Sequence, residues 1–227
     1  MREYIAESSK KAKEGRKVFK LFGHILVQLE SNLPHGVDIE AVLVSVKQRL
    51  PKHLLDDVDA IYIGNFKMLN DRQVDSMFVD GSIMIKSNHE SNEALFDTMM
   101  HEFAHAIEVK EKDFIYGSGD LVNEFLSKRK LVFHTLRDDY DIDKKLFLDP
   151  NFNQALDTFF SQEIGYENLG VITSNIFMSP YGITSVREYF ANGLEHYYID
   201  GPEQLKKISP VLSSKIEKIL SSKHKNS

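Results

Sequence analysis

The chain contains no cysteine, and this absence limits both how it can fold and which chemistry it can perform. No disulfide framework, zinc ribbon, iron–sulfur cluster or cysteine nucleophile is possible. With 227 residues, of which 42% are hydrophobic, the chain can bury roughly 70% of its unfolded surface and fold without crosslinks. A tightly bound metal must be held by the nine histidines and the 34 acidic residues. Because no repeat or linker interrupts residues 1–227, we expect a single domain.

The charge balance and the hydropathy of the chain limit its partners. A net charge of −6 and a pI near 5.9 predict no nucleic-acid partner, because binding a phosphate backbone requires a basic surface. No apolar run approaches the ~18 residues of a membrane span, so we also expect no membrane partner. The charged N-terminus lacks the apolar core and cleavage site of a signal peptide. We therefore expect a protein that is kept in the cytoplasm or delivered by a route that its sequence does not reveal.

The spacing of the apolar residues predicts an α+β fold that is mainly helical. A 3/4 spacing predicts N-terminal helices over about 1–55: the first lies within residues 3–31, and the second runs from Asp38 to about Leu50, where Pro51 stops it. Helical spacing also dominates the C-terminal half, about 120–222. There we expect four helices, over 121–138, 151–161, 184–199 and 210–222.

Between these helical regions, alternating residues predict a small, mostly antiparallel sheet over about 58–88. Ala60 to Phe66 has the composition of a strand. Val74 to Val79 and Ser82 to Ser87 flank Asp80-Gly81, the strongest signal for a two-residue hairpin. The sheet should directly precede the next helix of the chain.

That next helix, predicted over about 91–110, carries the segment His101-Glu102-Phe103-Ala104-His105. Two histidines four residues apart lie on one helical face, so both imidazoles can bind a single zinc ion. Zinc lowers the pKa of its water toward ~7. Glu102, rotated by about 100° from His101, can take the proton as general base and pass it to the leaving amine. The position after a hairpin is typical of zinc peptidases, which bind substrate along an edge strand.

A catalytic zinc site needs a third protein ligand and an open position for water. The metzincin pattern is excluded because its glycine and third histidine are absent, and two glutamates then compete. Glu124 follows His105 by 19 residues, in Asn123-Glu124-Phe125-Leu126-Ser127-Lys128. This segment resembles the Asn-Glu-x-x-Ser-Asp segment of thermolysin-like peptidases. In that family an acidic residue four positions after the ligand orients a histidine, whereas the cation Lys128 cannot accept this hydrogen bond.

Glu188 is the second candidate for the third ligand, and its surroundings suit a metal site. Thr184 or Ser185 can cap the helix whose first turns carry Glu188. Asn192, four residues later, presents an amide oxygen that can accept a hydrogen bond from a ligand histidine.

Tyr181-Gly182 precedes the segment Glu188-Tyr189-Phe190-Ala191, and the histidine helix contains His-Glu-Phe-Ala-His-Ala at His101 to Ala106. These residues resemble the catalytic domain of anthrax toxin lethal factor and its relatives, which include Pro-Pro endopeptidases. In that family a His-Glu-x-x-His helix, commonly with Gly at the fourth position, is followed by Tyr-Gly. A glutamate ligand then stands seven residues after the tyrosine, in a Glu-aromatic-Phe-Ala segment.

The resemblance implies a zincin-like fold and the activity of a zinc metalloendopeptidase. It implies that the zinc ligands are His101, His105 and Glu188 and that Glu102 is the general base. It also implies that Tyr181 donates a phenol hydrogen bond to the developing oxyanion. Such a donor stabilises charge that appears only in the transition state.

Some alternatives stay open at this point. Glu108, one turn after His105, either steadies a ligand histidine or is an exposed helix charge. We expect a peptide or protein substrate to pair with the exposed hairpin edge, along Val74 to Val79 or its partner strand. A protein that binds a peptide or partner without turnover, and a zinc hydrolase of non-peptide substrates, are alternative functions. A deformylase is disfavoured because its thiolate ligand cannot exist here. The sequence does not predict an oligomeric state.

Overall fold

The computed structural model describes residues 17–222 and confirms the predicted α+β class. Helices account for 59% of these residues, and the strands form one five-stranded sheet. The contacts divide the chain into two compact units, Met1–Ala106 and Ile107–Ser227. Each unit contains its own buried apolar residues. The single domain and the zincin-like arrangement stay predictions.

The first unit is built on the sheet, whose strands are β1 (Lys17–Leu21), β2 (Ile25–Leu29), β3 (Ala60–Gly64), β4 (Ser76–Val79) and β5 (Ser82–Lys86). Their order is β1-β2-β3-β5-β4. The outer pairs β1/β2 and β4/β5 are antiparallel, whereas β2/β3 and β3/β5 are parallel. The prediction of a mostly antiparallel sheet is therefore wrong, and the sheet is mixed. Parallel neighbours need a crossover connection, and helices occupy the segments between β2 and β3 and between β3 and β4.

The prediction of N-terminal helices is wrong over residues 17–29, which form the β1–β2 hairpin. The buried residues of β2, Ile25, Val27 and Leu29, alternate with half-buried ones, which is the period of a strand. Phe22 and Gly23 form the turn with positive φ angles of 53° and 84°, a geometry that a right-handed helix does not adopt. Residues 1–16 of the same prediction lie outside the described part of the chain.

The other helices predicted for this unit are confirmed. Helix α1 (Ile39–Arg49) begins after Asp38, whose carboxylate accepts the Glu40 amide hydrogen at 2.9 Å, and it ends before Pro51. A short 3-10 helix, Lys52–Leu55, and helix α2 (Lys67–Arg72) follow. Helix α3 (Asn92–Lys110) begins after Ser91, whose hydroxyl accepts the Ala94 amide hydrogen at 3.1 Å. The boundary between the two units falls within α3.

The predicted β4–β5 hairpin is also confirmed, and it forms one margin of the sheet. Asp80 and Gly81 have φ angles of 46° and 74°, as a two-residue turn with matching twist requires. A Cβ atom on Gly81 would lie 2.9 Å from the Asp59 carboxylate and 3.2 Å from the Asp57 carbonyl oxygen, so a larger residue would also displace these neighbours. Within the described residues β4 pairs only with β5, so no described strand occupies its second edge.

The second unit is helical in the part that the structure describes. Its helices are α4 (Lys112–Tyr116), α5 (Asp120–Leu136), α6 (Lys144–Phe147), α7 (Gln154–Thr158), α8 (Tyr166–Thr173), α9 (Val186–Ile199), α10 (Pro202–Ile208) and α11 (Pro210–Ser221). A π-helical turn, Phe159–Ile164, continues α7. The four helices predicted for this half therefore all occur. Between residues 17 and 222 no helix combines the length and the apolarity that crossing a membrane requires.

Candidate metal centre

Helix α3 presents the two histidines of the motif side by side. Their rings lie with centroids 4.9 Å apart and planes at 84°. His105 is only 8% exposed. Residues four apart on a helix share a face, so the spacing seen in the sequence brings both imidazoles to the same place.

Glu102, next to His101 on the same helix, is buried at 3% exposure. The Ser76 hydroxyl donates a hydrogen bond to Glu102 Oε1 at 2.5 Å. The second oxygen, Oε2, is buried and accepts no hydrogen bond from any described residue. A buried acceptor without a partner lowers the stability of the fold. Oε2 of Glu102 therefore stands out among the polar atoms of the site.

Glu188 lies in the first turn of α9, and the cap of that helix fixes its backbone. Ser185 is the N-cap residue, and its hydroxyl accepts the Glu188 amide hydrogen at 3.2 Å. The Thr184 hydroxyl instead donates to the Tyr181 carbonyl at 2.9 Å. Of the two capping residues that the sequence offered, Ser185 is therefore the one used.

His101, His105 and Glu188 form a group suited to a metal ion. One ligand atom from each residue lies within 4.8 Å of the others, and the described residues contain no other such group. Two imidazoles and one carboxylate also match the donor set of catalytic zinc sites, which keep a fourth position for water.

Glu124, the rival third ligand, serves another purpose in the structure. Its carboxylate accepts hydrogen bonds from the Tyr189 phenol at 2.9 Å and from the amides of Val211 and Leu212 at 2.8 and 3.1 Å. These amides begin α11, where backbone donors lack partners within the helix. Glu124 therefore caps α11, and the favourable interaction of its charge with the helix N-terminus adds to that role.

Lys128, the residue that departs from the thermolysin-like pattern, is a buried structural cation at 8% exposure. Its ammonium group donates to the carbonyls of Ile176 and Ile208 and to the Ser209 hydroxyl. Burial lowers the pKa of Lys128 to about 8, although the nearby charge of Glu124 opposes the shift. Lys128 thus joins α5 to the segments before α9 and α11.

Glu108 is buried at 4% exposure, so the alternative of an exposed helix charge is wrong. Its carboxylate accepts from the Tyr116 phenol at 2.8 Å and from Arg187 Nε at 2.9 Å. Burial, followed by the charge of Glu108, raises the pKa of Tyr116. Arg187 directly precedes Glu188. Glu108 therefore forms an ion pair with Arg187 in the first turn of α9. Its predicted contact with a ligand histidine stays a prediction.

Asn192 is buried at 5% exposure and holds the segment before α9. Its Oδ1 accepts a hydrogen bond from the Ser179 hydroxyl. The same oxygen lies 3.4 Å from the point where Gly182 would carry a Cβ atom. The predicted hydrogen bond from a ligand histidine to Asn192 stays a prediction, whereas its support of the Tyr181 segment is a feature of the structure.

Tyr181 begins a short 3-10 helix that a fully buried arginine fixes in place. Arg129 Nε donates to the Ile183 carbonyl at 2.8 Å, and Nη2 donates to the Thr184 carbonyl at 3.1 Å. The third guanidinium nitrogen donates to the Asp149 carbonyl. The backbone around Tyr181 is thereby attached to α5.

Tyr166 is a neighbour of Tyr181 that the sequence did not indicate as a site residue. Its ring centroid lies 6.1 Å from that of Tyr181, and its phenol donates to Asp157 at 3.0 Å. The pKa of Tyr166 is raised, first by burial and then by Asp157, with smaller contributions from Tyr181 and Glu188. Tyr166 is therefore close enough to Tyr181 and Glu188 to interact electrostatically with each of them.

Three residues of the site region escaped the sequence analysis: Ser76, Tyr166 and Arg187. Ser76 and Tyr166 stand in no motif and are distant in sequence from the residues they approach. Arg187 could have been noticed, because it directly precedes Glu188 and lies at the start of a helix, where a cation is unfavourable without a partner such as Glu108.

Comparisons of the chain with protein-family models, with curated proteins and with solved structures found no match. The resemblance to lethal factor therefore rests on the histidine helix and on the segment from Tyr181 to Ala191. What the structure adds independently is the group of two histidines and one glutamate.

Proposed function

We propose that the chain is a zinc-dependent endopeptidase. The observation that carries the proposal is the His101, His105 and Glu188 group, whose ligand atoms lie within 4.8 Å of one another. The sequence motif predicts the two histidines as ligands, and the group also contains the glutamate that the sequence favours, which supports the proposal. A chance cluster of acidic surface groups would not combine these features with a buried carboxylate at Glu102.

The donor set supports zinc as the metal. Two imidazole nitrogens and one carboxylate oxygen leave one tetrahedral position for water, which is the arrangement of catalytic rather than structural zinc sites. An all-oxygen set would suit calcium or magnesium instead. When bound, the zinc ion supplies Lewis-acid chemistry, because it lowers the pKa of a water and polarises the carbonyl of the substrate.

Glu102 is suited to the role of general base. Ser76 occupies Oε1, while the buried Oε2 accepts no hydrogen bond from the described residues and can take a proton from the attacking water. After the attack, the same carboxyl group can donate this proton to the leaving amine. Glu102 is adjacent to His101 but outside the metal-binding group, as a base that does not bind the ion requires.

Tyr181 is proposed to donate a hydrogen bond to the oxygen that becomes negative during the reaction. Donors held in place before the reaction stabilise developing charge without a cost of reorganisation. The hydrogen bonds of Arg129 to the backbone around Tyr181 support such a fixed position.

An extended peptide is the proposed substrate, and β4 is its proposed docking strand. Backbone groups on an open strand edge can pair with a peptide and fix its register. The position of β4 at one margin of the sheet supports this assignment.

The test combines metal analysis with cleavage of a proteome-derived peptide library. We expect about one zinc ion per chain and library cleavage by the wild type. Glu102→Gln should retain zinc and lose cleavage, since the amide cannot accept the proton. Glu93→Gln is the matched control, because it changes an exposed carboxylate of the same helix. Cleavage that persists in Glu102→Gln would refute the mechanism. A wild type that binds peptides without cleaving any would point to the non-catalytic alternative.

A further inference from the structure

We propose that Ser76 is a positioning residue for Glu102, and that it assigns different roles to the two oxygens of the carboxylate. This inference rests on the proposed peptidase function and deepens it. Ser76 holds Oε1 and so leaves Oε2 as the oxygen that exchanges protons with the reacting groups.

The hydrogen bond between the two residues has the geometry of a strong one. An ionised carboxylate has no hydrogen to donate, so the Ser76 hydroxyl must be the donor. The O···O distance of 2.5 Å lies in the range of charge-assisted O–H···O⁻ bonds, which are roughly twice as strong as neutral ones. Since Glu102 is only 3% exposed, water cannot readily replace this donor.

The environment of Glu102 makes the two oxygens unequal. Oε1 accepts from Ser76, whereas Oε2 is buried and accepts no hydrogen bond from any described residue. The terminal torsion of a glutamate is broad, so a carboxylate without a fixed donor would rotate and exchange its oxygens. One hydroxyl bond prevents this rotation and keeps Oε2 in one place.

Ser76 also connects the base to the edge of the sheet. It is the first residue of β4, where it stands opposite Ile85 of β5. The strand proposed to bind the peptide therefore also carries the donor that orients Glu102. A substrate paired along β4 would be held in register with the carboxylate that acts on it.

The experiment compares Ser76→Ala, Ser76→Thr and Ser76→Val with the wild type. Threonine and valine have almost the same shape and both suit a strand, so this pair isolates the hydroxyl even if alanine perturbs the fold. Ser82→Ala is the control, because it removes a hydroxyl from the partner strand of the same hairpin. The readouts are kcat and KM for a cleaved peptide, zinc content and the thermal midpoint.

We expect kcat to fall about 10- to 100-fold in the alanine and valine variants, the loss typical of a misplaced catalytic group. KM and zinc content should stay close to wild type, and threonine should restore kcat to within about threefold. The thermal midpoint should fall in the alanine and valine variants by the cost of one buried hydrogen bond, and threonine should restore it as well. A role limited to structure would instead lower the thermal midpoint or zinc content with no difference in kcat between the threonine and valine variants.

The inference is overturned if Ser76→Val and Ser76→Thr have equal kcat while Glu102→Gln abolishes cleavage. It is also overturned if KM alone changes. Failure of the proposed function gives a different result, because the wild type would then bind no zinc or cleave no peptide. The two failures are therefore distinguishable.

Discussion

Replacing Glu124 and Glu188 by glutamine, one at a time, should separate folding stability from metal binding. Glu124 accepts three hydrogen bonds, two of them from amides that begin α11. A glutamine keeps one acceptor oxygen and turns an NH₂ group toward the remaining donors. Loss of one bond to a charged group costs about 1.5–3 kcal/mol, and the weakened cap and helix-terminus interaction adds about 1 kcal/mol. We therefore expect Glu124→Gln to lower the free energy of unfolding by about 3 kcal/mol.

The two variants should differ most clearly when stability and zinc affinity are measured separately. In the presence of a chelator, Glu124→Gln should lower the thermal midpoint by roughly 6–12 °C, which is 3 kcal/mol converted for a chain of this size. Its zinc affinity, measured by competition with a chromophoric chelator, should remain near that of the wild type. Glu188→Gln should lower zinc affinity by more than about 100-fold, beyond the loss seen for residues that merely orient a ligand. Its midpoint in chelator should change little.

The opposite pattern would refute this reasoning. If Glu124→Gln lost zinc while Glu188→Gln retained it, the metal would be bound in the thermolysin-like manner and the capping role of Glu124 would be secondary. Equal loss of zinc in both variants would show that the cap of α11 and the metal centre depend on each other.

Three further predictions concern the second unit. Gly193→Ala would place a Cβ atom 2.3 Å from a methyl group of the buried Leu212. It should lower the free energy of unfolding, measured by chemical denaturation, by about 1–3 kcal/mol. Gly170→Ala, whose nearest new contact would be at 3.9 Å, should not lower it. Lys128 has a folded-state pKa of about 8, below its unfolded value. The free energy of unfolding of the wild type should therefore rise by about 2 kcal/mol between pH 8 and 10, because the unfolded state loses a proton that the folded state has already released. A rise of equal size in Lys128→Met would contradict this assignment. Arg187→Ala should weaken zinc binding about tenfold by freeing the start of α9 from Glu108, and an unchanged zinc titration would show that this ion pair does not position Glu188.

Local signals explain which elements could be predicted. Asp38 and Pro51 delimit α1, and Asp80-Gly81 fixes the β4–β5 turn, because in each case the deciding residues are neighbours in sequence. The β1–β2 hairpin was missed because residues 17–29 satisfy both a helical and an alternating spacing. Pairing with β3 is what selects the strand. The parallel pairs of the sheet have no local signal, since their partners are set by crossover connections.

The same division applies to the candidate metal centre. His101 and His105 share a helical face, so their spacing alone predicted their proximity. Glu188 lies 83 residues after His105, and no local rule places it there; it was proposed through a resemblance between motifs. The hydrogen bond of Ser76 to Glu102 could not be foreseen, because nothing in the sequence of β4 distinguishes this serine from any other.

The attachment of the Tyr181 turn to Arg129 limits how far this turn can move. If the turn opened, a fully buried guanidinium would lose its hydrogen bonds to the Ile183 and Thr184 carbonyls. Each buried donor without a partner costs about 1–3 kcal/mol, so loss of both hydrogen bonds would keep the population of the opened form at a few per cent or less. The turn therefore stays closed in most molecules. In the proposed peptidase, a peptide would bind and products would leave without movement of the turn, and the amides of the turn should exchange hydrogen with solvent slowly.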